Sequence, residues 1–285
     1  MTPSTQWTTW GSEIEVRVTE WAALGEAAGI VRAALERARD VCDLGRGDAE
    51  IHAVNQAQGT PVRVSPELGG LIRAALWAAR ITGGAVSPLA VEDPERTDRS
   101  EGAAPIAGES IAEVVSHAEP DFGDIRIDAD TVFAPFGAYL DLTATAKSVV
   151  AHRAARRAAD TLECGVCVRV DDIVATWGHC PIGGWQVTLD GIPAAGREEV
   201  EVRAHGALAT VRAPAGGAES GLDAVTVAAD DGLWAYAAAA AALGQGVAAL
   251  RWLTERDLAA RVIYRRGNVR TTDAWLHLPP HDYAA

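Results

Sequence analysis

Hydrophobic residues repeat with two different periods in the first forty positions of the chain. From residue 7 to residue 19, Ile14, Val16 and Val18 alternate with polar residues, which predicts a half-buried β-strand. From residue 24 to residue 41, the apolar positions recur every three or four residues, with Glu and Arg on the other face. This second period predicts an amphipathic α-helix. A strand followed closely by a helix is typical of a mixed fold.

The rest of the chain continues this mixture of patterns. No internal repeat and no low-complexity linker divides it, so we expect one α+β domain over residues 1–285, with mixed or antiparallel sheets flanked by helices. A stretch rich in Pro, Glu, Asp and Arg predicts an exposed loop at about 91–110. Further helices are predicted at 48–55, 66–81, 144–162, 233–243 and onward to 255. A hairpin with a polar turn is predicted at 125–133, and further strands are predicted at 62–64, 136–140, 166–175, 185–189, 200–204, 208–212, 224–228, 260–264 and 269–271.

Composition and charge narrow the classes of partner. Hydrophobic residues make up 48% of the chain but aromatic residues only 6%, so the core must consist mainly of Ala, Val, Leu and Ile. A formal net charge of −14 argues against nucleic acid, because a phosphate backbone would be repelled over most of the surface. No apolar run approaches the roughly 18 residues of a membrane span, and the N-terminus lacks the features of a secretory signal. We therefore expect a cytoplasmic protein that binds neither nucleic acid nor membrane.

Four cysteines do not form a disulfide framework in a chain of this size. Cys164 and Cys167, followed by Cys180, suggest a zinc site at first sight, but the last cysteine adjoins His179 directly. Adjacent residues on a strand point to opposite faces, which does not suit tetrahedral coordination. Free, partly buried thiols, including Cys42, are the favoured interpretation.

The segment from Tyr139 to Ser148 contains the only lysine, Lys147, in a chain whose other basic residues are all arginine. A retained lysine suggests that a compact ammonium is needed, since the broad guanidinium does not fit every site. Asp141 lies six residues earlier, and the small residues between them permit the close approach of a ligand to a helix start. The alternative is a surface lysine on the first helical turn, with Asp141 as a helix cap.

The order of these segments resembles the ApbE family of FAD:protein FMN transferases. Single pieces are short, but their order along most of the chain is specific to that family. The pieces are Trp10-Gly11-Ser12, residues 46–55, Val64-Ser65-Pro66, Thr82-Gly83-Gly84, Leu140-Asp141-Leu142 with Lys147, Gly178, residues 184–187 and residues 225–229.

The resemblance implies an α+β fold and a magnesium-dependent reaction. Members of the family transfer the FMN half of FAD to a Thr or Ser hydroxyl of another protein, so FAD and an acceptor flavoprotein are the implied partners. For catalysis the resemblance implies Asp141 and Lys147. For metal binding it implies the carbonyl of Ala144, and Asp230 and Asp231 are candidate substitute ligands. For binding of the flavin nucleotide it implies Trp10, Thr82, Gly83, Gly84, Ala85, Val86, Ser87, Asp141 and Lys147.

Some positions depart from the family pattern. Tyr236 and Ala240 occupy the positions where the resemblance implies an Asp and a Thr as magnesium ligands, and neither side chain replaces those oxygens. Residues 213–221 are too short for the family's histidine-containing segment. For Asp230 and Asp231 a helix cap is the alternative to a metal role. Two hypotheses therefore stand: a transferase with a modified metal shell, and a silent relative that binds a flavin, a nucleotide or a protein partner without transfer.

Overall fold

The computed structural model describes residues 2–90, 120–189, 198–214 and 220–276, and its elements are numbered here in chain order. The strands are β1 (Ser4–Thr9), β2 (Ser12–Val18), β3 (Val62–Arg63), β4 (Arg126–Asp128), β5 (Thr131–Phe133), β6 (Val166–Val170), β7 (Ile173–Trp177), β8 (Trp185–Leu189), β9 (Glu198–Val202), β10 (Ala207–Arg212), β11 (Leu222–Ala229), β12 (Ala259–Tyr264) and β13 (Val269–Thr271). The helices are α1 (Leu24–Cys42), α2 (Ile51–Gln56), α3 (Pro66–Ile81), α4 (Thr143–Leu162), α5 (Gly232–Gln245), α6 (Ala249–Thr254) and α7 (Asp273–Leu276).

An eight-stranded antiparallel sheet forms the centre of the described structure. Its strand order is β1-β2-β6-β7-β10-β11-β12-β13, so that chain segments far apart in sequence become neighbours. The central strands are buried on both faces, which explains why β6 and β7 consist almost entirely of apolar or small residues. A three-stranded sheet, β3-β5-β4, lies apart from it.

Helices cover one face of the large sheet. Helix α4 packs on β6 and β7, helix α5 packs on β10 and β11, and α1 and α3 pack on α4. The faces of α4 and α5 that meet the sheet are built from alanine, which lets the helices approach closely. At Gly232 an added Cβ would lie 3.0 Å from the Ser148 carbonyl oxygen and 3.1 Å from the His152 Cβ, so α5 begins in direct contact with α4. This contact fixes the relative position of the two helices.

The β8–β9 hairpin covers part of the opposite face. Its buried Trp185, Val187, Val200 and Val202 form a separate apolar cluster with residues of the large sheet such as Leu208. The described structure is therefore layered as helices, sheet and hairpin. This arrangement is the α+β fold with antiparallel sheets that the sequence predicts.

Three strand predictions are wrong in their bounds. The strand predicted at 7–19 is a hairpin, because Trp10 and Gly11 adopt positive φ values of 52° and 67° and turn the chain between β1 and β2. The strand predicted at 166–175 is also a hairpin, with its turn at Asp171 and Asp172. The apolar run at 136–140 forms one isolated bridge, between Leu140 and Leu89, in place of a strand. The loop predicted at about 91–110 lies outside the described residues.

One helical stretch, Gly232–Thr254, is long and apolar enough to cross a membrane by length and composition, with a mean hydropathy of 1.4. It is the only such stretch within the part of the chain that the structure describes. Of its most apolar 18-residue window, 56% is buried, and Ala238, Ala239 and Ala242 pack in the core beside β11. We therefore assign it to the protein core.

Candidate functional site

A cleft of about 540 Å³ opens where the N-terminus of α4 meets the β6–β7 turn, the end of β10 and one face of α5. A second hollow of about 710 Å³ lies beside β1 and β2 and shares Asp171 and Asp172 with the cleft. The polar side chains lining the cleft are Ser87, Asp141, Thr143, Thr145, Lys147, Asp171, Asp172, Thr210, Arg212 and Tyr236. Asp141 and Lys147 thus lie at one site, together with basic and acidic residues from distant strands.

Asp141 is held at the cleft by its backbone neighbours. Its amide donates to the Pro88 carbonyl at 2.9 Å, and its Oδ1 accepts from the Thr143 amide at 2.9 Å. The buried Asn55 side chain accepts from the Leu140 amide at 2.8 Å and donates to the Leu140 carbonyl at 3.0 Å. Asn55 therefore fixes the backbone just before Asp141. Among the described residues Asp141 forms no ion pair, so its carboxylate is the acidic group of the cleft without a basic partner.

Lys147 lies on the first turns of α4 with its side chain only 16% exposed. Its Nζ is 3.9 Å from Asp171 Oδ2 and 5.5 Å from the centre of the Trp10 ring. Both contacts are attractive, but 3.9 Å exceeds hydrogen-bond distance. Within the described parts of the chain, the ammonium therefore has no hydrogen-bond acceptor. Trp10 is not among the residues that line the cleft. Its ring contacts the Lys147 ammonium.

Asp171 ties the β6–β7 turn to the β1–β2 turn. Its Oδ2 accepts from the Ser12 hydroxyl at 2.5 Å, its Oδ1 accepts from the Glu13 amide at 2.9 Å, and its own amide donates to the Glu13 carbonyl at 2.9 Å. Its φ of 51° lies in the left-handed region, which Asp tolerates better than most residues. Sequence reasoning missed Asp171 because it treated the segment as one strand, although two consecutive acidic residues between apolar runs are a turn signal.

Asp172 and Arg212 form a second charged pair at the cleft. Arg212 Nε and Nη2 donate to the two carboxylate oxygens of Asp172 at 2.8 and 2.9 Å. A bidentate pair of this kind holds the planar guanidinium in one orientation. The pair joins β10 to the β6–β7 turn, and neither residue was predicted, since they lie forty positions apart in the sequence. The cleft thus contains two cationic groups, Lys147 and Arg212.

Tyr236 lies on the α5 side of the cleft. Burial, and secondly the negative charge of Asp141, raise the pKa of the Tyr236 phenol above its ordinary value. The phenol is therefore neutral at physiological pH and lies close enough to Asp141 to sense its charge. Ala240 follows one turn later and offers only a methyl group.

The described residues do not fit a resident magnesium ion. Magnesium takes hard oxygen ligands, preferably from carboxylates. Of the three carboxylates that line the cleft, Asp171 and Asp172 are paired with Lys147 and Arg212, and only Asp141 remains. Ala144 is a lining residue, and its carbonyl accepts from the Ser148 hydroxyl at 3.2 Å. Across the described ranges no group of three or more His, Cys, Asp or Glu side chains is arranged to hold a metal.

Asp230 and Asp231 lie outside the set of residues that line the cleft. Asp231 is the N-cap of α5, accepting from the Trp234 amide at 2.9 Å, and its carboxylate is 3.9 Å from His152 Nε2. Asp230 is largely exposed and pairs with Arg203 at 3.4 Å. The structure therefore gives Asp231 the cap role that the sequence left open, and it does not bring either residue to Asp141.

The segment from Thr82 to Ser87 reaches the cleft only at its end. Val86 and Ser87 are lining residues. Thr82 closes α3, since its hydroxyl donates to the Ala78 carbonyl at 2.7 Å and accepts from the Val86 amide at 3.1 Å. Gly83, Gly84 and Ala85 form the turn; at Gly84, with φ of 87°, an added Cβ would lie 3.0 Å from the Phe122 ring. Thr82 to Ala85 therefore shape the wall without lining it.

The four cysteines are thiols that form no disulfide, and Cys42, Cys164 and Cys167 are buried while Cys180 is half-buried, as predicted for free, partly buried thiols. Burial raises the pKa of each thiol, to about 12 for Cys42 and to about 11 for Cys180. Protonated, buried thiols are unreactive and poor metal ligands. The cysteines therefore belong to the packing of the protein.

Comparison with known proteins gives the same family over most of the chain. A sequence model described as the ApbE family matches residues 10–212. No curated protein sequence matches the chain.

Several crystal structures share the fold. Pseudomonas stutzeri flavinyl transferase ApbE in its apo form is 18% identical, with 96% of each chain covered and a TM-score of 0.73. The ApbE protein from Thermotoga maritima is 15% identical, with 99% of this chain and 100% of that one covered and a TM-score of 0.78. The flavin transferase ApbE from Vibrio cholerae is 14% identical, with 97% and 99% covered and a TM-score of 0.75. At these identities the similarity establishes the fold.

Proposed function

This protein belongs to the ApbE family, and we propose that it binds FAD in the cleft beside Lys147 and transfers the FMN half to a Thr or Ser hydroxyl of an acceptor protein. The observation that carries the proposal is the mostly buried Lys147 ammonium, which faces the cleft without a hydrogen-bond acceptor from the described residues. An ammonium in that position can donate charge-assisted hydrogen bonds to an anionic ligand. The family model and the flavin transferases of the same fold support flavin as its class.

The shape of the site supports a dinucleotide. The cleft and the adjoining hollow meet at Asp171 and Asp172, so a long ligand has room on both sides of the β6–β7 turn. The apolar residues Val86, Leu89 and Ile173 line the cleft and suit the flavin ring system.

Transfer requires one bond to form and one to break. The acceptor hydroxyl oxygen attacks the phosphorus of the FMN half, and the bond between that phosphorus and the bridging oxygen of the diphosphate breaks. The FMN half becomes a phosphoester of the acceptor, and AMP leaves with the bridging oxygen. Asp141 takes the proton of the attacking hydroxyl, because it is the carboxylate at the cleft without a basic partner among the described residues. Lys147 and Arg212 balance the charge on the phosphates.

A second candidate function is binding of FAD without transfer. Tyr236 favours it, because a neutral phenol and the methyl group of Ala240 stand where the family pattern calls for metal ligands. In that case the cleft would hold the nucleotide while Asp141 has no reaction to assist.

Two measurements on the purified protein test these proposals. Titration of the protein into FAD, followed by flavin fluorescence, measures binding, and we expect saturation by wild-type protein and strong weakening in Lys147→Ala. Incubation with FAD and an extract of the cells that produce the protein, followed by a denaturing gel, detects covalent flavin as a fluorescent band. We expect a band that requires the added protein and is lost in Asp141→Asn, accompanied by release of AMP.

The outcomes separate the two functions. Binding of FAD with neither a fluorescent band nor AMP would reject transfer and support the second candidate. Absence of FAD binding would reject both.

A further inference from the structure

We propose that the cleft binds its nucleotide without a divalent cation, the phosphates being held by Lys147, Arg212 and the amides of Ala144 and Thr145 in the first turn of α4. This inference rests on the function proposed above and concerns how the same site neutralises its ligand. It departs from the magnesium dependence that the family resemblance implies.

Three positive groups are already fixed at the cleft. The Lys147 ammonium and the Arg212 guanidinium both line it, and the first residues of α4, Thr143 to Thr145, present the positive end of a 20-residue helix. These positive groups attract a phosphate, and the Asp171 and Asp172 carboxylates beside them are already engaged in ion pairs with Lys147 and Arg212.

The carboxylates of the cleft also argue against a magnesium site. Asp171 is held by Ser12, Glu13 and Lys147, and Asp172 is held in a bidentate pair by Arg212. Recruiting either carboxylate to a metal would disturb the hydrogen bonds and ion pairs that now hold it. Only one of the carboxylates that line the cleft, Asp141, remains available to a metal. One carboxylate does not form a preformed magnesium site.

Tyr236 occupies the α5 side of the cleft, beside Asp141. Its phenol is mostly buried, lies within the electrostatic range of Asp141 and lines the cleft. A neutral phenol is a poor magnesium ligand compared with a carboxylate, and its bulk occupies space on the α5 side. On the other side, the Lys147 Nζ stands 3.9 Å from Asp171 with its donors available to a phosphate oxygen.

The test compares FAD affinity of the wild-type protein in EDTA and in excess magnesium chloride. We expect dissociation constants that agree within about threefold, because the cation has no site to fill, while a rise in salt weakens binding in both conditions. We also expect no tight binding of Mn²⁺ to the protein alone, measured by electron paramagnetic resonance of free Mn²⁺.

A variant turns the inference into a gain of function. Tyr236→Asp combined with Ala240→Thr puts a carboxylate beside Asp141 and a hydroxyl one turn later on the same helix face. We expect magnesium to tighten FAD binding by this variant at least tenfold, about 1.4 kcal/mol, whereas magnesium should not tighten FAD binding by Tyr236→Phe. Circular dichroism checks that the variants are folded, and the wild-type comparison stands without them.

Each outcome has a distinct meaning. If wild-type protein binds FAD at least tenfold more tightly with magnesium, or binds Mn²⁺ tightly alone, cation-independent binding is wrong while the proposed function stands. If FAD does not bind in either condition, both are wrong.

Discussion

The two sides of the cleft differ in how they are built. On the side of α4, which we call the Lys147 wall, Lys147 contacts Asp171 and the Trp10 ring, and Asp171 accepts from Ser12. On the side of α5, the Tyr236 wall, an alanine-rich helix contributes the Tyr236 phenol to the lining. The Lys147 wall is a polar network that positions a cation, whereas the Tyr236 wall is a packing surface. The difference indicates that the basic side chains of this site neutralise the phosphates of its ligand. Substitutions on each side of the cleft should therefore have different effects.

The largest effect is expected from removal of the cation itself. Lys147→Ala deletes the ammonium that faces the cleft, and a charge-assisted hydrogen bond of about 2 kcal/mol corresponds to a loss of roughly 30-fold in FAD affinity. Arg157→Ala is the matched control, because it removes one positive charge from an exposed position on the same helix. Fluorescence titration measures both variants. Equal losses in the two would mean that only overall charge matters.

A smaller effect is expected when the support of that cation is removed. Asp171→Ala leaves the buried Ser12 hydroxyl without its acceptor and places alanine at a φ of 51°, so we expect a loss of about 1.5 kcal/mol in the free energy of unfolding. Asp171→Asn keeps an acceptor and tolerates that φ, and it should retain most of the stability. Urea unfolding measures stability. If Asp171→Asn keeps its stability but binds FAD more weakly, Asp171 positions Lys147 for FAD in addition to stabilising the fold.

At the N-terminus of α5, outside the cleft, Asp231→Ala should change stability alone. Loss of the N-cap that accepts from the Trp234 amide costs about 1 kcal/mol in typical helices. FAD affinity should stay within about twofold of the wild type, since Asp231 does not line the cleft. The neighbouring Asp230→Ala is the control, with stability near that of the wild type. A large loss of magnesium-stimulated FAD binding in Asp231→Ala would restore the metal role that the sequence left open.

The smallest effect concerns pH at the contact between α4 and α5. Burial lowers the pKa of His152, with the charges of Arg156 and Arg153 in the same direction and Asp231 opposing them. The unfolded chain therefore binds a proton that the folded protein resists. The stability that neutral His152 contributes is present above about pH 6.5 and is lost as pH falls through the lowered value. Urea midpoints at pH 8 and pH 5 should differ less in His152→Gln than in the wild type.

The sequence predicted the elements better than it predicted their contacts. Periodicity placed α1, α3, α4 and α5 within a few residues, because alanine and leucine at helical spacing leave little alternative. It merged β1 with β2 and β6 with β7, because a single glycine such as Gly11, or an acidic pair such as Asp171 and Asp172, is a weak turn signal between apolar runs. The positive φ values at the β1–β2 and β6–β7 turns are visible only in the folded structure.

The same limit applies to the site. Asp141 and Lys147 were found because they lie six residues apart and because a single lysine stands out against 24 arginines, the remainder of 25 basic residues. Asp172 and Arg212 were not found, because only the strand order β6-β7-β10 brings them together. Asp231 was assigned two roles, and a cap and a metal ligand use the same residue type, so that only its bond to the Trp234 amide distinguishes them.

The most direct test of the central claim is a crystal structure of the wild-type protein with FAD, grown with magnesium present. The account predicts the diphosphate within hydrogen-bond distance of Lys147 Nζ and beside Arg212, with no metal between Asp141 and Tyr236. A flavin bound elsewhere, or a magnesium ion coordinated at Asp141 and the Ala144 carbonyl, would contradict it.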